Sequence, residues 1–239
     1  MFCSGETTNL LLKDFGKHCR EGRTVEDLNE SGCQLILEIR NRVKDAEPIS
    51  VSPRFMNTWY IFIDGASENS DDGKKTGGVG GVFISAGGDY FQHFGMTVPL
   101  EMMELFFEHY HHPVHELEVL PVLISFLIWN KFLHGAQVVH DTDNDLWRYA
   151  LMRGVGETPI ARLLVSSILR SEHALQTKSW YSRVPSHSNP SDDPSRGSSK
   201  ALPDKGSTEV AVLWGEIWAC LPIPRGDVGG GDPTMNPQL

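Results

Sequence analysis

Asp64 closes a short apolar run, Glu118 stands at the head of a long one, Asp143 follows a third, and Asp192 lies in a loop rich in Ser and Pro. The intervals between these four acids are 54, 25 and 49 residues. Acids so far apart in sequence can work together only if separate elements of one sheet carry them to a common point. Carboxylates brought together repel one another and raise each other's affinity for protons unless a cation neutralises them. An all-oxygen donor set suits a hard divalent ion such as Mg²⁺ or Mn²⁺. Two such ions, roughly 3.5–4 Å apart, can activate a water and stabilise the leaving oxygen in phosphodiester cleavage. Taken singly, each acid is an ordinary turn, cap or first-turn helix residue; only the ordered set suggests a site. Asp141 and Asp193 are neighbouring alternatives to Asp143 and Asp192.

The elements that would position these acids are legible in the residue pattern. Trp59-Tyr60-Ile61-Phe62-Ile63 is β-branched and aromatic and ends at Asp64-Gly65, which predicts a buried strand and a turn. Gly77–Ser85 and Tyr90–Val98 predict two more strands joined by a Gly87-Gly88 hairpin, so the first three form an antiparallel meander. Glu116–Leu133 is apolar on most sides and predicts a central helix. Pro121 is tolerated only in a first turn, so the helix is expected to begin near Glu116–Glu118, with Glu118 in that turn. Ala136–His140 predicts a fourth strand running into Asp141-Thr142-Asp143-Asn144. A small helix over Asp145–Arg153 stops at Gly154, and Thr158-Pro159 opens another that runs to about Gln176. Ser179–Val184 is the fifth strand. The order βββαβααβ implies an α/β mixed sheet of five strands flanked by helices.

Three zones surround or make up this unit: an N-terminal extension over residues 1–56, the domain over 57–197, and a C-terminal tail over 198–239 expected to be largely disordered. The extension carries one amphipathic helix pattern, Gln34–Asp45. Within the tail, Val210–Cys220 is expected as a helix or strand with Trp214 and Trp218 on one side. The stretch Leu100–Pro113 reads as a polar insertion, and His109, His111, His112 and His115 in and after it form no convincing metal set.

Several segments resemble the ribonuclease H domain of retroelement reverse transcriptases. Tyr60-Ile61-Phe62-Ile63-Asp64-Gly65-Ala66-Ser67 is similar to that family's first strand and catalytic Asp, Leu117-Glu118 to the helix that supplies its Glu, and Thr142-Asp143-Asn144 to its Asp-Asn motif. Val184-Pro185-Ser186-His187-Ser188-Asn189-Pro190-Ser191-Asp192-Asp193-Pro194-Ser195-Arg196-Gly197 resembles the closing motif in which Asn, Asp, Ser and Arg recur. The resemblance implies a ribonuclease H-like fold and a two-metal hydrolase that cuts the RNA strand of an RNA–DNA hybrid. It implies that Asp64, Glu118, Asp143 and Asp192 are catalytic and bind Mg²⁺ or Mn²⁺. Ser67, Asn144, Asn189 and Arg196 would bind nucleic acid or support the site, Arg196 by bracing the closing loop against an acid, and a separate polymerase domain would be a partner. His187 is expected to be a surface turn residue. An integrase of the same superfold would need a terminal Glu on a helix, where this chain has Asp192.

Charge points the other way. The chain carries a formal net charge of -10 with a pI near 5.4. Between Trp59 and Gly197 there are ten Lys and Arg against seventeen Asp and Glu. Polyanion binders normally carry excess cations to replace phosphate counterions. No Tyr-x-Asp-Asp polymerase motif is present. A catalytically inactive relic acting as a nucleic-acid or protein interaction module is therefore the alternative to an active enzyme. The four cysteines, Cys3, Cys19, Cys33 and Cys220, form no CxxC pair and are expected to be reduced thiols. With no apolar stretch long enough to span a membrane and no secretion signal, the expected location is intracellular, in cytoplasm or nucleus.

Overall fold

The computed structural model describes residues 57–69, 75–109 and 113–221, together with Ile36, Leu37 and Arg40. Apart from those three residues, the amphipathic pattern at Gln34–Asp45 lies outside the described residues, as do His111 and His112. Six strands form one sheet: β1 Thr58–Asn69, β2 Lys75–Ser85, β3 Tyr90–Thr97, β4 Gln137–Thr142, β5 Lys178–Arg183 and β6 Thr208–Glu209. Their spatial order is β5-β4-β1-β2-β3-β6. β1, β2 and β3 are antiparallel, whereas β4 joins β1, and β5 joins β4, in parallel. This is the expected mixed α/β sheet with one strand added. β6 is two residues long and pairs with Gln92 and His93 of β3, too short to leave a pattern in the sequence.

The α-helices described from residue 57 onward are α1 Leu100–His109, α2 Val114–Ile128, α3 Asn130–Leu133, α4 Asp145–Arg153, α5 Pro159–Leu175, α6 Asp192–Ser195 and α7 Trp214–Cys220. Every residue of α2 from Glu116 to Phe126 is buried. A helix apolar all round must be covered all round, and α2 is: β1 and β2 lie on one side, with α5, α4 and α7 around the rest. Each Leu or Ile buried there contributes on the order of 1.5–3 kcal/mol. Its start differs from expectation. Pro113 occupies the N-cap position and the helix begins at Val114, so Pro121 lies inside it and Glu118 falls in the second turn. Pro113 supplies the start that Pro121 was expected to mark, and the helix tolerates one missing backbone donor at Pro121.

Leu100–His109 is a helix rather than a polar insertion. Met102, Met103 and Phe106 are buried at helical spacing and seal the core beyond β2. α4 and α5 match their sequence signals closely: Gly154 and Gln176 end them in left-handed conformation, and Thr158 accepts from the Ala161 N–H as N-cap. Part of the expected tail also packs on the domain. β6 extends the sheet, Leu202 is buried against Val82 and Ile84, and Ile217 and Leu221 of the α7 region enter the main core. The apolar positions there are few and interleaved with Gly and Pro, which hides them in composition.

Candidate metal centre

β1 outruns its parallel neighbour. The β1–β4 register ends at Phe62↔Asp141, while β1 continues to Asn69 against β2. From Ile63 onward one side of β1 is therefore open, and three acids meet in that gap. Asp64 comes from β1, Glu118 from α2, and Asp143 from the turn immediately after β4. One ligand oxygen from each lies within 4.8 Å of the others. Asp64 and Glu118 are buried at 5% and 7% exposure, and Asp143 is half-buried.

Glu118 is held by the chain around it. Gly65 follows Asp64 because a Cβ there would lie 2.6 Å from the Glu118 nitrogen, so only glycine lets α2 approach β1 this closely. The Gly65 N–H donates to the Glu118 carboxylate, and the Asn144 side-chain amide donates to it as well. Asn144 can do so because its Oδ1 is spent as the N-cap of α4, accepting from the Leu146 and Trp147 N–H groups at 3.0 and 3.4 Å. Glu118 Oε2 remains buried without a hydrogen-bond partner among the described residues. Burial raises the Glu118 carboxyl to about 9, with Asp64 and Asp143 adding to the rise and Asn144 and Gly65 opposing it. Burial likewise raises Asp64 to about 6. A hydrogen bond from Ser195 opposes the rise, Asp143 and Asp192 add to it, and Arg196 opposes it again.

Asp192 sits apart from the three. Its Oδ1 lies 3.1 Å from Arg196 Nε, and 47% of its side chain is exposed. Its charge still reaches Asp64. The loop carrying it is seated on the sheet through glycines: a Cβ on Gly80 would lie 2.5 Å from the Ser195 nitrogen, and one on Gly95 equally close to the Pro194 carbonyl. Asn189, buried, donates to the Ile63 carbonyl at 3.0 Å and accepts from the Ser191 hydroxyl at 2.6 Å. It therefore ties the closing loop to β1. Arg196 pairs with an acid of its own loop. Ser67 is half-buried three residues beyond Asp64, so strand alternation turns it to the opposite face.

The neighbouring alternatives separate cleanly. Asp141 is buried but hydrogen-bonded to Ser182 on β5, outside the three-acid group, and its carboxyl is raised by burial. Asp193 is exposed, as is His187. His140 is fully buried between Phe126 and Tyr181, and burial pushes it down to about 3, a neutral core residue. Sequence reasoning passed over Ser195. Its hydroxyl is bonded to Asp64 Oδ2 and lies 2.8 Å from the Asp192 carbonyl oxygen. The only sequence signal for it was its place in the closing motif.

The donor set fits a hard divalent cation. All three groups offer oxygen, they are mutually repulsive, two are driven toward their protonated forms, and one buried oxygen is unpartnered. The antiparallel meander, followed by two more strands in one mixed sheet flanked by helices, matches the architecture expected from the sequence. The fold is ribonuclease H-like.

Known structures similar to this ribonuclease H-like domain include RNase H1 from the halophilic archaeon Halobacterium salinarum, 17% identical over 62% of this chain and 98% of that one, with a TM-score of 0.43. LC11-RNase H1 in complex with an RNA/DNA hybrid is 13% identical over 59% of this chain and 95% of that one, with a TM-score of 0.46. A foamy viral protease-reverse transcriptase in complex with an RNA/DNA hybrid is 13% identical, with a TM-score of 0.44. That match covers 66% of this chain and 22% of the viral one. No family model matches the chain, and neither does any curated protein. Among the described residues, no helix is long and apolar enough to cross a membrane.

Proposed function

We propose that this protein is a metal-dependent endonuclease of the ribonuclease H type that cuts the RNA strand of RNA–DNA hybrids, derived from a retroelement. The single observation that carries the reading is the convergence of Asp64, Glu118 and Asp143 in the gap beside β1, with Glu118 Oε2 buried and unpartnered. These three residues would hold the cation, and Asp192, whose charge reaches Asp64, would complete the set. Bound there, Mg²⁺ or Mn²⁺ would supply Lewis acidity for activating water and for stabilising the leaving oxygen. The chain's own residues provide orientation. Asn144 and the Gly65 N–H fix Glu118, and Ser195 fixes Asp64. The closing motif from Asn189 to Arg196 supports the retroelement origin, and a polymerase domain is the partner that would share the hybrid.

A second reading is favoured by the charge. A domain this acidic has few phosphate contacts to offer, so a binding-only relic would keep the fold and lose the turnover. Cleavage of a labelled hybrid at low salt with Mg²⁺ or Mn²⁺, compared between wild type and Asp64→Asn, decides between them. Metal-dependent cutting of the RNA strand that disappears in the variant supports the enzyme. A folded wild type that binds the ion and cuts nothing supports the relic.

A further inference from the structure

We propose that Ser195 is the positioning residue of the metal centre: its hydroxyl sets the orientation of the Asp64 carboxylate and ties Asp64 to the segment bearing Asp192. The inference rests on the metal-binding reading above and names what holds its first ligand in place.

Two fastenings join the closing loop to β1 at consecutive residues. Asn189 donates to the carbonyl of Ile63, and Ser195 is bonded to the side chain of Asp64. The first is a backbone tether. The second acts on the ligand itself. A carboxylate on a strand is free to turn about χ2, and that rotation decides where the oxygen not bound to Ser195 points. Fixing one oxygen therefore fixes the other. The Ser195 hydroxyl also lies 2.8 Å from the Asp192 carbonyl, so one atom touches the first acid and the backbone of the fourth. Ser195 is itself held firmly. It is 3% exposed, and its backbone is seated against Gly80, where a Cβ would meet the Ser195 nitrogen at 2.5 Å. A side chain pinned in this way gives up little further freedom when it holds Asp64. Groups that orient metal ligands in other centres contribute about 10–100-fold in metal affinity.

The test is Mn²⁺ binding to the full-length protein by titration calorimetry, with a melting temperature recorded for each variant. Wild type binds and Asp64→Asn does not. Ser195→Ala binds on the order of 10–100-fold more weakly, and Ser195→Thr, which keeps the hydroxyl, stays near wild type. If Ser195→Ala does not fold, Ser195→Cys fills the same space with a poor donor and is expected to show the same weakening. A folded Ser195→Ala or Ser195→Cys that binds like wild type overturns the proposal and leaves the metal site intact. Equal weakening in Ser195→Ala and Ser195→Thr overturns it too, because packing rather than the hydroxyl would then be responsible. A wild type that binds no Mn²⁺, or an Asp64→Asn that binds normally, removes the metal-site reading and this proposal with it.

Discussion

Asp64 and Glu118 lie inside the protein, the first held by the Ser195 hydroxyl and the second by a backbone and an amide donor, while Asp192 keeps close to half of its side chain in solvent and is paired with Arg196. The buried pair is set by desolvation and mutual repulsion, which drive both toward their neutral forms. The exposed acid is set by an ion pair of the kind that typically contributes about 0.2–1 kcal/mol. The first arrangement is costly without a cation and rigid with one. The second is cheap to rearrange. A divalent ion should therefore be bound by the clustered three and only adjusted by the fourth. Variants on the two sides should differ accordingly.

The largest expected effect is at Asp64. Without metal, wild type carries the repulsion among the three acids; with Mg²⁺ or Mn²⁺ at 100 times the dissociation constant, binding stabilises the folded state by about 2.7 kcal/mol. Asp64→Asn should abolish that increment in thermal unfolding and reduce hybrid cleavage to background. An Asp192→Asn protein should keep most of the increment. Equal losses in both would erase the distinction between the two sides.

The pH dependence comes next. Asp64, raised from 3.8 to about 6, and Glu118, raised from 4.5 to about 9, hold protons in the folded protein where the unfolded chain has released them. Their contribution to stability is complete below the unfolded values. It is lost as pH rises, through about 6 for Asp64 and through about 9 for Glu118. In chelator, the melting temperature should thus fall between pH 5 and 9 by way of these groups. Glu118→Gln should remove the upper part of that fall. Bound metal, which needs both carboxylates ionised, should bind more tightly over the same window. A flat profile in chelator that Glu118→Gln leaves unchanged would show that the pair is not repelled as described.

How much of this was legible in the sequence follows the same division. Asp64, Glu118 and Asp143 could be placed because each borders an element with a strong periodic or β-branched signal. It is Asp143, not Asp141, that meets the other two acids in three dimensions: Asp141 still belongs to β4 and bonds across to Ser182, whereas Asp143 lies just beyond the last pair. The start of α2 was misplaced because Pro121 imitates a first-turn proline while Pro113 is the operative one. α1 is hard to read because Met102, Met103 and Phe106 stand among glutamates and run into a cluster of histidines, which masks their helical spacing. Ser195 was passed over because its contact is 131 residues away in sequence. β6 and α7 escaped because their burial depends on a platform that the rest of the chain builds.

The seat of the closing loop gives a smaller effect than the loss of a ligand. Gly80 on β2 admits the loop backbone, and a methyl group there would lie 2.5 Å from the Ser195 nitrogen and 2.8 Å from the Ser191 carbonyl. Backbone cannot step aside as a flexible side chain can. Gly80→Ala is expected to destabilise the protein by about 1–3 kcal/mol, read in chemical denaturation. It should also weaken Mn²⁺ binding, because lifting the loop withdraws Ser195 from Asp64. Destabilisation with unaltered Mn²⁺ affinity would separate the loop from the buried acids.

Arg196 is where the smallest change is expected. Its guanidinium pairs with Asp192 at the surface, with 51% of the arginine side chain and 47% of the aspartate exposed. Removing it as Arg196→Gln should shift unfolding by less than about 1 kcal/mol. The same substitution takes a positive charge from beside the acids, one whose field opposes the rise at Asp64. Cation binding should therefore strengthen slightly while stability barely moves. The gain should shrink at high salt, since this pair is exposed and the field crosses solvent. Weaker Mn²⁺ binding in Arg196→Gln would instead mean that Arg196 orders Asp192 for the ion rather than competing for it, and the exposed acid would then belong with the clustered three.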